Sequence, residues 1–178
     1  MTLALENYQQ LVTRVDTLCK GITDALGEQI TCSAGCSSCC LSITVFPVEA
    51  EAMREALEKM PPFQVDEIRR HVAKHADGEQ CPLLLHDHCL LYSARPIICR
   101  THGLPIVYTV DDQRNSDCCP HNMIAAETVL SGSNVVNLDT LNTVLSAVNT
   151  NFLSQPGNGI SAERLTIAEV IAAIPAVA

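Results

Sequence analysis

"TCSAGCSSCC", residues 31–40, places Cys32, Cys36, Cys39 and Cys40 within nine positions of one another. Thiols this dense have four chemical explanations: a disulfide knot, a redox pair, a catalytic nucleophile or a metal site. At 178 residues the chain is long enough to bury a real core without disulfide staples, so its ten cysteines need another reason. The opening "MTLALENYQQLV" has no basic region and no long apolar run. The tail "IAEVIAAIPAVA" is too short and too Pro-broken to span a bilayer. With nothing marking export or a membrane, the expected location is cytoplasmic, and structural disulfides do not persist in a reducing cytosol.

The formal charge of −9 counts every thiol as neutral. A site that ionises several of them makes the chain more anionic still unless a cation arrives, which argues for a bound metal ion as partner. It argues equally against nucleic acid: 11 basic residues against 20 acidic ones leave no footprint for a phosphate backbone, and no basic stripe carries interleaved aromatics. The absence of Trp and an aromatic content of 3% weaken any sugar-binding or base-stacking role.

Working outward, the flanks read as helical. Leu5, Tyr8, Leu11, Val12, Val15, Leu18, Cys19, Ile22 and Leu26 recur at helical spacing, so residues 3–26 are expected to form one amphipathic helix that Gly27 ends. "FPVEAEAMREALEKMPP" has Pro47 suited to a first helical position, Glu49 and Glu51 in the first turn, Lys59 in the last, and Pro61 and Pro62 as a stop. Residues 64–76 continue with Val65, Ile68 and Val72 on one face and Gly78 as terminator. Across 79–120 the pattern breaks at Pro82, Pro96, Pro105 and Pro120, and only "LPIVYTV" reads as a strand. Leu138, Leu141, Val144, Leu145, Val148 and Phe152 mark another helix. A last one is capped by Thr166 with Glu169 and stops at Pro175. The expected fold is mainly α: a single helical domain around an irregular cysteine-lined metal centre, with at most a short β segment near 104–110.

Cys19 lies on the apolar face of the first helix and reads as a small buried hydrophobe. The other nine cysteines form a tight group at 32–40 and a spread one, Cys81, Cys89, Cys99, Cys118 and Cys119. Zinc or an iron–sulfur cluster takes four soft thiolates, and short spacings let one turn offer several. Gly35 suits a loop that folds back on itself. Nine thiols suffice for two four-thiolate centres, or for one with spare ligands, and spacing alone does not divide them. Cys32, Cys36 and Cys39 also match the C-x3-C-x2-C pattern of radical S-adenosylmethionine enzymes. Those need a β/α partial barrel, for which this chain has no strand–helix alternation. A thioredoxin-like C-x2-C pair at Cys36 and Cys39 lacks the βαβ context it requires.

Taken together, "CSAGCSSCC" followed by "CPLLLHDHCLLYSARPIICRTHG" resembles the CxxCxxCC family of zinc- or iron-chelating domains, the YkgJ-like cysteine-cluster proteins. The resemblance rests on Cys32, Cys36, Cys39 and Cys40, on Cys81, Pro82 and Leu84, on Cys89 and Tyr92, and on Arg95, Pro96, Cys99 and Arg100. A final cysteine is supplied by Cys118 or Cys119. It covers 32–119, with the first spacing one residue longer than the family name, and leaves 1–30 and 122–178 unmatched. It implies a zinc or [4Fe–4S] centre with Cys32, Cys36, Cys39, Cys40, Cys81, Cys89, Cys99, Cys118 and Cys119 as candidate ligands. Flagellin lysine N-methylases carry a similar cluster, so an iron–sulfur-dependent protein-modifying enzyme is the alternative to a redox or structural metal-binding protein, and a protein partner is conceivable in either case.

Arg95 and Arg100 flank Cys99, where guanidinium groups can offset thiolate charge and donate to sulfur; they are the candidate cofactor-binding residues. Tyr92 reads as a packing residue. His71 and His75, four apart on a helix, read as a solvated face, while His86, His88, His102 and His121 lie close enough to cysteines in sequence to replace a thiol. The chain is expected to be one metal-binding domain over 1–178: a cysteine core at 32–119 between an N-terminal helix at 3–26 and a C-terminal helical region at 122–178.

Overall fold

The computed structural model describes residues 5–33, 35–125, 128–155 and 161–174. Helix α1 runs over Glu6–Leu26 and buries Tyr8, Leu11, Val15, Ile22 and Leu26 along one face. Residues 3 and 4, the expected start of this helix, lie outside the described residues. Gly27 ends it at φ 51°, a left-handed conformation that a side chain would resist. Strand β1 (Thr44–Val45) leads into α2 (Pro47–Glu58), with Pro47 in the first turn as its fixed φ favours.

Helix α3 (Pro62–His75) starts at a proline expected only to stop its predecessor, and buries Val65, Ile68 and Val72. It ends earlier than expected. Ala76, in a right-handed helical conformation, takes the capping place assigned to Gly78, whose N–H donates to His75 O at 3.2 Å.

The irregular stretch holds more β structure than the sequence pattern indicates. Strands β2 (Leu84–Leu85) and β3 (His88–Cys89) form a small antiparallel hairpin, followed by α4 (Ile97–Thr101). Strand β4 (Ile106–Val110) pairs antiparallel with β5 (Gln113–Asp117) over five registers, from Ile106 opposite Asp117 to Val110 opposite Gln113. The expectation of at most one short β segment near 104–110 is thereby corrected. Both hairpins turn on two residues of positive φ, His86 and Asp87 in the first and Asp111 and Asp112 in the second, the backbone that two-residue hairpins need. Asp tolerates that backbone without the glycine whose absence hid both turns.

Strand β6 (Val136–Asn137) adds to β4 in parallel, giving the order β5-β4-β6. Helix α5 (Leu138–Leu153) follows, capped by Asn137, whose Oδ1 accepts from Thr140 N–H at 2.9 Å. Strand β7 (Leu165–Thr166) returns to pair with β1, and α6 (Ile167–Ala172) carries the expected capping box of Thr166 and Glu169. The stop assigned to Pro175 lies outside the described residues.

Two hydrophobic clusters result. In one, α1 packs with Val48, Ile97, Leu104, Val136 and the buried face of α5, Leu141, Leu145 and Phe152. In the other, Met53 and Leu57 of α2 meet α3, Leu83, Leu91 and the Ile167, Val170 and Ile171 face of α6. Helix α2 thus joins both, with Val48 in the first cluster and Met53 in the second. Leu57 is fully enclosed. Leu57→Ala is expected to cost about 2–5 kcal/mol in urea unfolding, while Val144→Ala, on the solvated side of α5, should stay within about 0.5 kcal/mol.

Candidate metal centre

All ten cysteines are free thiols. The described residues between 31 and 42 have almost no regular structure, so their position depends on where their main-chain donors and acceptors go. At its N-terminal end Thr31 N–H donates to Asn122 Oδ1 at 3.0 Å, Thr31 Oγ1 donates to His121 O at 2.5 Å, and Met123 N–H donates to Gln29 O at 2.9 Å. Asn122 is buried and also donates through Nδ2 to Gly103 O at 2.6 Å, while Cys119 N–H donates to the same carbonyl at 3.3 Å.

Gly103 sits between two cysteines. At φ +89°, a Cβ on it would lie 3.3 Å from Cys32 Sγ and 3.7 Å from Cys119 Cβ, so both backbone and space call for glycine there.

The other end is held by a different segment. Ser42 N–H donates to Glu79 O at 2.8 Å, Leu41 bridges Gln80, and Cys81 N–H donates to Cys40 O at 2.9 Å. Cys81 then turns into the β2–β3 hairpin, where Leu84 faces Cys89 and Leu90 N–H donates to Leu83 O. Between the two anchors, Ser37 Oγ donates to Asp87 Oδ1 at 2.6 Å, tying the loop to the hairpin tip, and Gly35 takes the expected positive φ of 92°.

A cavity of about 790 Å³ opens at the seam of the two hydrophobic clusters. Eight cysteines line it: Cys19, Cys32, Cys36, Cys39, Cys40, Cys81, Cys89 and Cys99, from α1, the 31–42 loop, the hairpin and α4. Cys118 and Cys119 do not. Cys19 packs on the first cluster but is half-buried instead of enclosed, and its thiol donates to Arg100 O at 3.4 Å on the cavity wall.

Burial and the thiols of Cys81, Cys89 and Cys40 push Cys99 up to about 12, although its surface opens on the cavity. Burial with Cys39, Cys81 and Cys89 raises Cys40 to about 11. Cys32 is raised by burial and then by Cys36, Cys39 and Cys119. Cys36 goes the other way, lowered by its hydrogen bond with Ser38. Soft thiols in this number are the donor set that zinc or an iron–sulfur cluster takes, so the residues present fit such a group chemically. Among the described residues, however, no three Cys, His, Asp or Glu side chains stand close enough together to hold an ion. They surround a space rather than a point.

The residues around the thiols are now placed. Arg100 is nearly enclosed and its donors are committed: Nη1 to the Asp16 carboxylate at 2.7 and 2.9 Å, Nε to Arg95 O and Nη2 to Ser93 O, each at 2.9 Å. It therefore clamps the entrance of α4 to α1. Arg95 stacks 4.0 Å from the Tyr92 ring centre, and Tyr92 is 57% exposed, so it packs against that guanidinium and not in the core. His88 and His102 line the cavity; His86 and His121 do not. The solvated pair expected at His71 and His75 is corrected: His71 is half-buried and donates from Nε2 to Leu84 O at 2.9 Å, while His75 is exposed and donates to His71 O at 2.7 Å.

Glu49 is the residue that sequence reading undervalued. It is 2% exposed, and its carboxylate accepts from Phe46 N–H at 2.9 Å and from Ile97 N–H at 3.0 Å. One side chain therefore caps α2 and orients α4, which carries Cys99. Burial raises its carboxyl, and the two N–H donors offset that. The only sequence signal was its place in the first turn after Pro47.

Removing that carboxylate leaves two enclosed donors unpaired. Glu49→Ala is expected to cost about 2–5 kcal/mol by denaturant unfolding, with Glu49→Gln losing less because it keeps one acceptor. The thiols can be ordered in metal-free protein by alkylation and mass spectrometry: Cys36 should react first and Cys99 last, since thiolate is the nucleophile. Because the folded protein keeps Cys40 and Cys99 protonated above the ordinary thiol range, the unfolded chain binds fewer protons there. These two thiols should add no pH dependence to metal-free stability below about pH 8 and should lower it as pH rises through about 9 to 12. A melting temperature unchanged between pH 8 and 10 would contradict it.

Comparison with known families agrees with the cysteine pattern. The CxxCxxCC family, described as "Putative zinc- or iron-chelating domain", matches residues 31–120, just over half of the chain. No curated protein and no solved structure matches it. The match begins and ends at the two segments joined through Asn122 and Gly103, and on it the chain belongs to the CxxCxxCC family of zinc- or iron-chelating domains.

Proposed function

We propose that this protein is a metal-binding module whose ligands are the cavity thiols Cys32, Cys36, Cys39, Cys40, Cys81, Cys89 and Cys99, with one or both of Cys118 and Cys119 joining them from outside the cavity wall. The observation that carries the reading is the convergence of thiols from α1, the 31–42 loop, the β2–β3 hairpin and α4 on one cavity in a family described by zinc or iron chelation. Binding draws these side chains together, because thiolates around one zinc lie about 2.3 Å from the ion. An iron–sulfur cluster held there would supply electron transfer, whereas zinc closed by four thiolates would make the site structural or metal-holding.

The chain's own residues then have defined work. The hairpin and α4 present Cys81, Cys89 and Cys99, and Glu49 orients the helix that carries the last. Arg95 and Arg100 place positive charge beside thiols that ionise on binding, and the apolar wall of Met53, Leu83, Leu91 and Ile167 limits water. Neutral thiols at Cys40 and Cys99 must lose protons for a metal to bind, so loading releases protons and weakens as pH falls.

The deciding measurement is metal and acid-labile sulfide on protein purified without oxygen, with a visible spectrum. Iron with sulfide identifies a cluster; zinc without colour identifies a structural or holding site. Cys99→Ser and Cys39→Ser are each expected to lower metal content and melting temperature together, because binding energy at such a site is also folding energy. Full metal and an unchanged melt in both variants would remove those residues from the centre.

A further inference from the structure

We propose that the thiols divide into two separate four-thiolate centres, Cys40, Cys81, Cys89 and Cys99 in one and Cys32, Cys36, Cys39 and Cys119 in the other, with Cys19 and Cys118 outside both. This rests on the metal-binding reading above and adds what neither spacing nor family membership supplies.

The division follows from how the loop is anchored. Its C-terminal end is hydrogen-bonded to residues 79–81, which puts Cys40 against Cys81; the β2–β3 pairing then brings Cys89 in beside Leu84, and Leu84 N–H in turn donates to Cys81 O at 3.0 Å. Cys99 reaches the same cavity wall from α4, beside the thiols of Cys81, Cys89 and Cys40. The N-terminal end of the loop is hydrogen-bonded instead to residues 119–123 through Asn122 and His121. Gly103 stands between Cys32 Sγ and Cys119 Cβ without a side chain to separate them. Cys36 and Cys39 follow Cys32 within the loop, and the thiols that act on Cys32 are those of Cys36, Cys39 and Cys119.

Cys119 is chosen over Cys118 by the same geometry. Cys119 N–H binds Gly103 O, facing Cys32, whereas Cys118 N–H turns back to Asp117 Oδ1 at 2.8 Å. Each centre has the four ligands that close a zinc site or hold one cluster, and up to four thiol protons leave as each forms. The adjacent pair Cys39 and Cys40 marks the boundary, one residue serving each centre.

Metal per chain, read by elemental analysis and native mass spectrometry, tests the division. Wild type should carry two units, Cys99→Ser and Cys119→Ser about half as much each, the double variant none, and Cys118→Ser and Cys19→Ser the full amount. Far-UV circular dichroism checks that each variant keeps its helices. A second measurement avoids mutation: chelator is titrated into wild type while free thiols are alkylated and mapped. Release of Cys40, Cys81, Cys89 and Cys99 as one group and Cys32, Cys36, Cys39 and Cys119 as another supports the proposal. Release of all eight together, a folded single variant that loses all metal, or halving by Cys118→Ser instead of Cys119→Ser would overturn it. Wild type that binds neither zinc nor iron would overturn the metal-binding reading itself, an outcome distinct from a single shared centre.

Discussion

The main-chain hydrogen bonds at the two ends of residues 31–42 are the constraint on which the cysteine arrangement depends. A loop with almost no helix or sheet of its own takes its position from whatever partners its backbone finds, and because none of its described residues is fully buried these bonds fix its place instead of rescuing enclosed groups. Here the partners come from two remote segments, 119–123 at one end and 79–81 at the other. Satisfying the backbone therefore also decides which thiols are neighbours. Asn122 concentrates this role, since one buried amide accepts from Thr31 and donates to Gly103.

Around that loop the helices act as a rigid frame. Helix α2 contributes Val48 to one hydrophobic cluster and Met53 and Leu57 to the other, and the thiol cavity lies at the seam. Burying Glu49 at the first turn of α2 is the polar counterpart of this division. An isolated carboxylate would not survive there, but two N–H donors from separate chain segments stabilise it, and the second of them sets the start of α4. Arg100 completes the clamp by joining the end of α4 to Asp16 of α1. The position of Cys99 is thus coupled to the packing of both α1 and α2.

Much of this frame is legible in the chain because periodicity and capping are local. The buried face of α1, the Pro47 start of α2, the span of α5 and the Thr166–Glu169 box all follow from residues three or four apart. The strand at 106–110 was legible, but the hairpin at 84–89 and the turn and second strand that complete the one at 106–117 were not, because His86, Asp87, Asp111 and Asp112 adopt positive φ without a glycine to announce it. His71 was misplaced for a related reason: helical spacing shows which residues share a face, not that Leu84 O would approach that face from thirteen residues away.

By itself the sequence determined that the protein is mainly helical, that nine cysteines outside α1 lie between 32 and 119, and that their pattern is the one shared by a metal-chelating family. These are matters of composition, local period and spacing. Only the tertiary structure decided which thiols face one another, that a buried Glu49 aims the helix bearing Cys99, and that Arg100 binds Asp16 and main-chain carbonyls. The reason is physical: contacts between residues 32 and 119, or 40 and 81, arise from long-range hydrogen bonds made when the irregular chain is folded against its frame, and no local rule of the sequence carries them.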